Sequence, residues 1–268
     1  MNLNNNIMKT IRIKMAVLAV LMATVVCGQE ITTQHYEVAG YDNIEVSSAI
    51  DVRLVADGKE GVTVSCDERL LPAIIIEQRG NKLEIGVDWK KLHWITGRKR
   101  DRHISIHKNR VEINGMVFSG GMQIDVSVKH VKAISTSASG DVTWEGDLPA
   151  DELHLNAFSS GDITWEGTLT ANVLHIDCAS SGDVEGVYKG GSAFVELSSS
   201  GDYEGVMEVE TLDAQISSSG DFEGRVNAVK AVFDLSSSGD AEVWGVIDSL
   251  YVNACSSAEF NGKKNPPA

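Results

Sequence analysis

From residue 137 onward, apolar and polar residues alternate in short runs, each run ending on a Ser-x-x-Gly-Asp phrase or a close variant. Its glycines are Gly140, Gly161, Gly182, Gly201, Gly220 and Gly239, with Ala258 in the seventh place, at spacings of 21, 21, 19, 19, 19 and 19 residues. An acidic residue follows each one, from Asp141 to Glu259. Four, six and eight residues before the glycine the chain is apolar: Ala157, Leu155 and Leu153, then Cys178, Ile176 and Leu174, then Leu197, Val195 and Ala193, and so on to Ala254, Val252 and Leu250. The residues between them are mostly polar, such as His154, Asn156, His175, Asp177 and Glu196. Period 2 is the signature of a strand buried on one face.

The change from 21 to 19 residues supports this assignment. Two repeats read Asp-Val-Thr-Trp-Glu-Gly (141–146) and Asp-Ile-Thr-Trp-Glu-Gly (162–167), while the next three read Asp-Val-Glu-Gly, Asp-Tyr-Glu-Gly and Asp-Phe-Glu-Gly. Losing two residues keeps every later side chain on its own face, whereas losing one would invert them all. Each repeat thus holds about two strands and two turns and cannot bury its apolar row alone. Stacking like positions about 4.8 Å apart buries a continuous core. The pattern predicts an all-β fold, a right-handed parallel β-solenoid of 19–21-residue coils. A leucine-rich repeat would need its Leu/Asn signature and a helical segment, and a propeller would need about 40 residues per blade.

Alternation is weaker before the repeats but still reads as strands at 41–46, 50–54, 61–66, 81–87 and 123–128, with a short helix expected at 67–71. The expected organisation is a signal peptide over 1–28, an irregular β region over 29–130 that caps or extends the solenoid, and solenoid repeats over 131–265. The leader reading rests on Lys9, Arg12 and Lys14 followed by the uncharged run Met15–Val26, too short to span a bilayer, with cleavage after Gly28. Cys27 is the alternative attachment point for a lipid anchor. The expected location is exported: periplasmic, outer-membrane-associated or extracellular.

Charge narrows the partners. The whole chain has 23 basic and 38 acidic residues, and the leader takes three basic and no acidic ones, so the mature chain carries 20 against 38, a net −18. Such a surface repels nucleic acid. Within it lies a basic island at 90–110 that includes Lys90, Lys91, Arg98, Lys99 and Arg100, with Trp89 and Trp94 at its start. It reads as a solvated hairpin or loop, or as a patch for an anionic glycan or lipid headgroup with Trp89 and Trp94 as stacking platforms. Cys66, Cys178 and Cys255 remain after the leader, too few and too widely spaced for a disulfide framework, and no bridge is expected.

Candidate chemistry is sparse. The Asp column reads first as turn chemistry, with Gly supplying positive φ and Asp or Ser bonding nearby amides; calcium is the alternative, but the nonapeptide of calcium-binding β-rolls is absent. The repeated serines lack a nucleophile elbow. His154 and His175 stand at equivalent outward positions on adjacent coils with no third ligand evident, and no metal or cofactor site is assigned. Trp144 and Trp165 are also read as outward, either as a stacked platform for sugar rings or as packing under the N-terminal region. The expected binding surface is therefore Trp144, Trp165, Arg98, Lys99 and Arg100.

Tyr41-Asp-x-Ile-x-Val, Asp51-Val-Arg-Leu, Val62-Thr-Val-Ser-Cys-Asp-Glu-Arg-Leu-Leu, Asn81-Lys-Leu-Glu-Ile and the Ser-Ser-Gly-Asp coils, in that order, resemble the bacterial family named putative auto-transporter adhesin, head GIN domain. The resemblance covers roughly 35–262 and implies a secreted or envelope-located β-helical protein of undefined role, with no functional residues to carry over. The expectation is a non-catalytic binding, adhesion or assembly scaffold facing a glycan or an envelope or host surface component. A polysaccharide-active lyase or glycosidase is the alternative, disfavoured because every carboxylate here is repeated.

Overall fold

The computed structural model describes residues 22–26, 29–96, 104–107, 110–113, 116–119 and 121–263. Strand β1 (Met22–Val26) pairs antiparallel with β2 (Gln29–Tyr36), which is itself held on its other side by a later strand, so β2 does not depend on β1 for its place. Strands β3 (Asn43–Val46) and β4 (Val52–Val55), joined by the turn 47–51, make the first coil. The chain then leaves the ladder through β5 (Gly61–Asp67), a 3₁₀ turn at Leu71–Ala73, β6 (Ile74–Arg79) and β7 (Lys82–Val87). The expected helix at 67–71 is only this 3₁₀ turn, since Asp67 still belongs to β5 and Pro72 supplies the fixed φ that starts it. Helix α1 (Trp89–Thr96) and a small antiparallel sheet of β8 (Ile104–His107), β9 (Arg110–Ile113) and β10 (Met116–Ser119) follow.

The chain returns with β11 (Met122–Ser127) and β12 (Ala133–Thr136), and then winds regularly. Strands β13 (Val142–Glu145) and β14 (Glu152–Ser159) are separate arms, whereas β15 (Ile163–Ser180), β16 (Val184–Ser199), β17 (Tyr203–Ile216), β18 (Asp221–Leu235) and β19 (Asp240–Ala254) each run through both arms of a coil. Strand β20 (Glu259–Lys263) ends the stack on β19. All pairings from β13 onward are parallel and advance by one coil, which is the arrangement the repeat predicts.

Stacking order departs from chain order at the start of the ladder. β4 lies between β11 and β13, and β12 lies between β3 and β14. Strands far apart in sequence therefore interleave, and residues 43–55 are rungs of the same ladder as the repeats. Antiparallel strands cover the N-terminal end on both arms, β6 on β7 and β5 on β11, shielding edges that would otherwise template aggregation. The core follows the register. One inward column runs Leu83, Ile44, Ile134, Leu155, Ile176, Val195, Ala214, Phe233, all 2% exposed or less. A second runs Ile124, Val52, Val142, Ile163, Val184, Tyr203, Phe222, Ala241. In the β17 coil the large Tyr203 stands with the small Ala214, whereas in the β18 coil Phe222 and Phe233 meet edge to face at 5.4 Å.

The turn glycines do a different job from the expected one. None of the column from Gly140 to Gly239 has positive φ; Ser159, Ser180, Ser199, Ser218, Ser237 and Ser256, two residues earlier, hold φ between 62° and 71°. Each glycine is needed because the coils approach so closely there. A Cβ on Gly201 would lie 2.6 Å from the Cys178 carbonyl carbon, and one on Gly161 2.6 Å from the Gly140 oxygen. The serines' left-handed backbone is held by the ladder, as the Ser199 carbonyl accepts the Ser219 amide at 2.8 Å and the Ser218 carbonyl accepts that of Ser238 at 2.8 Å. Ala258 is tolerated in the last turn, where the closing bond to Cys255 stretches to 3.4 Å against 3.1 Å for Gly201 to Ser198.

Candidate functional site

Trp144 and Trp165 point inward, not outward, with 2% and 4% exposure. The reason is the strand period itself: Val142 and Ile163 are inside, so the residues two further on are inside as well. The rings stack at 5.0 Å and 8°. The stack ends where the coil shortens, since between Thr164 and Thr168 the ladder absorbs two extra residues. Gly186 of the next coil makes room there, because a Cβ on it would lie 2.1 Å from the Trp165 indole, and the indole donates to the Val187 carbonyl at 2.9 Å. These rings offer no platform to a sugar.

Among the described exposed aromatic residues, Trp94 stands furthest out, at 85%, ahead of Tyr251 at 62%, with Trp89 at 38%. It sits on α1, which Asp88 starts by accepting the Lys90 and Lys91 amides at 3.0 and 3.2 Å. Leu92 locks the helix down, 3% exposed, in an apolar patch formed with Leu70, Ala73, Val87, Val111 and Ile113. Lys90 and Lys91 are exposed, and Lys90 shares a face with Trp94 at the i, i+4 spacing. Arg98, Lys99 and Arg100 follow in the chain but lie outside the described residues. Of the expected surface, then, the structure buries Trp144 and Trp165, whereas Trp94, read in the sequence with Trp89 as a stacking platform of the basic island, is exposed.

His154 and His175 do face outward, and they stack at 4.3 Å and 2°, with Phe194 continuing the ladder at 4.9 Å from His175. A third polar group joins them. Glu152 Oε1 lies 3.1 Å from His154 Nε2 and 3.5 Å from His175 Nε2. The signal was present in the sequence: Glu152 is two residues before His154, hence on the same face of the same strand. Partial burial, and secondarily the neighbouring His154, lower the His175 pKa below its ordinary value, with Glu152 acting in the other direction.

The Asp column is engaged by the backbone. Asp141 Oδ1 accepts the Asp162 amide at 3.1 Å, Asp162 accepts from Asp183 at 3.1 Å and Asp183 from Asp202 at 3.1 Å. Asp51, in the first coil, starts the series by accepting the Asp141 amide at 3.4 Å. An open groove at the β4–β13 corner holds Arg53, Glu145 and Asp147, and two of these charges are engaged by the scaffold. Asp147 Oδ1 accepts the Thr170 amide at 2.7 Å, and Arg53 Nε donates to Asp125 at 2.8 Å. Among the described residues no helix is long and apolar enough to cross a membrane.

A putative adhesin from Bacteroides fragilis has the same fold, with a TM-score of 0.70 at 16% identity over 87% of this chain and 97% of its own. A putative adhesin from Parabacteroides distasonis gives 0.59 at 17% identity, covering 87% and 98%. A putative lipid binding protein from the same species gives 0.54 at 16%, covering 87% and 96%. No curated protein matches the sequence. The model of the family described as putative auto-transporter adhesin, head GIN domain, matches residues 40–207, from the first coil into the β17 coil and so over more than half of the chain, and the protein belongs to that family.

Proposed function

We propose that the chain is an exported, non-catalytic binding module that meets an anionic glycan of an envelope or host surface through α1. The observation that carries the reading is Trp94, 85% exposed on a helix whose other side is fixed by Leu92. Trp is among the residues most enriched at binding hot spots, and here it is presented on an anchored helix beside cationic side chains. Its neighbours Lys90 and Lys91, and the Arg98-Lys99-Arg100 run just beyond the helix, give an acidic protein one positive region. Stacking on a sugar ring by Trp94 with ion pairing by the lysines suits a sulfated or uronic-acid polysaccharide. The family and the adhesin folds support a binding role, and the fixed hydrogen bonds of the Asp column and the groove support the absence of catalysis.

The test is binding of the mature protein to a glycan array and to immobilised sulfated and uronate polysaccharides, beside a reducing-sugar release assay. Saturable binding without release is expected, weakened about tenfold or more by Trp94→Ala at an unchanged melting temperature. Capture on anionic lipid vesicles alone would replace the glycan by a lipid headgroup. Release of reducing ends, or full binding by Trp94→Ala, would overturn the reading. Export is tested by the mass of the mature N-terminus: cleavage after Gly28 leaves Gln29 first, and a diacylated Cys27 would give the lipid-anchored alternative.

A further inference from the structure

We propose that Glu152, His154 and His175 form a binding site for a late first-row divalent cation, with Zn2+ the representative ligand. Their ligand atoms all lie within 4.8 Å of one another. Both imidazole Nε2 atoms already lie close to one carboxylate oxygen, at 3.1 and 3.5 Å, so three ligand atoms stand together and an ion would take the place of the proton held between imidazole and carboxylate. Two imidazoles and one carboxylate select zinc, copper or nickel over calcium or magnesium, which want oxygen ligands only.

The scaffold fixes the donors. His154 and His175 are register partners on adjacent strands, and their rings stand face to face at 4.3 Å with 2° between planes. Phe194 closes the far side of the stack, so His175 is packed between two rings and has few rotamers to lose on binding. Val173 and Ser192 follow Glu152 in register on the next two coils, and no other described acid or imidazole completes a set of three with these side chains. Three ligands leave a fourth position for water. A bound ion would tie β14 to β15 across their outward face, far in function from the α1 patch, and the site stands whether or not Trp94 binds a glycan.

Full-length mature protein, prepared without a polyhistidine tag and stripped of metal, is titrated with ZnCl2 by calorimetry. One ion per chain is expected. His175→Phe, which extends the natural Phe194 ladder and so preserves stacking, and Glu152→Gln should each weaken binding by about tenfold or more. Cu2+ bound to the wild type should show hyperfine coupling to two imidazole nitrogens in its paramagnetic resonance spectrum, and to one in His175→Phe. Absence of saturable Zn2+ binding by the wild type would overturn the site. So would wild-type affinity in a His175→Phe protein of unaltered circular dichroism, because the ion would then sit on other carboxylates.

Discussion

Asp202 offers its carboxylate to the backbone amide of Asp221, 2.9 Å away on the next coil. The same bond recurs along the column, and it brings carboxylates into a row where burial, first, and then the charges of Asp183 and Asp221 lift the Asp202 pKa, the amide bond acting against them. Asp51, Asp162 and Asp221 are lifted likewise, burial again leading. A carboxyl whose folded pKa is raised contributes stability that is complete below its unfolded pKa and is lost as pH rises through the folded value. At neutral pH the column therefore opposes folding through charge while supporting it through hydrogen bonds. Asp202→Asn keeps the acceptor and removes the charge. Its unfolding free energy should exceed that of the wild type at neutral pH, by less than about 1 kcal/mol for a half-buried group, and the difference should vanish below about pH 4. Lower stability at both pH values would mean that the charged bond outweighs the repulsion.

The turns make an opposed pair of predictions at neighbouring residues. Gly201 has no conformational need to be glycine, but a Cβ would press on Cys178 at 2.6 Å, so Gly201→Ala should cost about 1–3 kcal/mol in urea unfolding. Ser199 holds φ 64° with a side chain, and Ser199→Gly relieves that strain while loosening the unfolded chain, for a net change within about 1 kcal/mol. Reversed magnitudes would place the turn's demand on dihedral angle instead of on coil spacing.

Thiol chemistry reports on the same packing. Burial pushes the Cys66 thiol up to about 12, and lifts Cys178 further, with nearby aspartates adding to both. Cys255, in the last turn, is exposed. A maleimide should label the native mature protein once and the denatured protein three times, read by intact mass. Rapid native labelling of Cys178 would show that the coils open locally.

What the sequence disclosed was what repetition made redundant. Seven copies of one phrase fixed strand period, register and parallel stacking, and the loss of two residues after Thr164 marked where the ladder shifts. The first coil stayed hidden because Ile50 fills the place of the turn glycine, and because its partners come much later in the chain, Ile124 of β11 against Val52 and Ala133 of β12 against Asn43. Trp144 was placed outside by analogy with the histidines although its own strand parity put it inside. Glu152 went unnoticed as a partner of His154 because carboxylates are everywhere in this chain, and only side-chain geometry singles one out.

The two stacked tryptophans give the last prediction, because they differ in one hydrogen bond. Trp165 donates to the Val187 carbonyl at 2.9 Å, whereas Trp144 Nε1 is buried without a partner among the described residues. Truncation to alanine should cost about 3–5 kcal/mol at either position, as for any large core aromatic. Phenylalanine separates them. It keeps a ring in the stack at both sites, but at residue 165 it also removes a donor from a part-buried carbonyl, a loss of about 0.5–1.5 kcal/mol, while at residue 144 it deletes an N–H that had nothing to bond. Trp165→Phe should therefore be the less stable variant by about 0.5–1.5 kcal/mol in urea denaturation, with near-ultraviolet circular dichroism retaining an aromatic couplet only while both indoles remain. Equal stabilities would mean that the Val187 bond contributes nothing, and that the stack is held by ring contact and by the clearance at Gly186 alone.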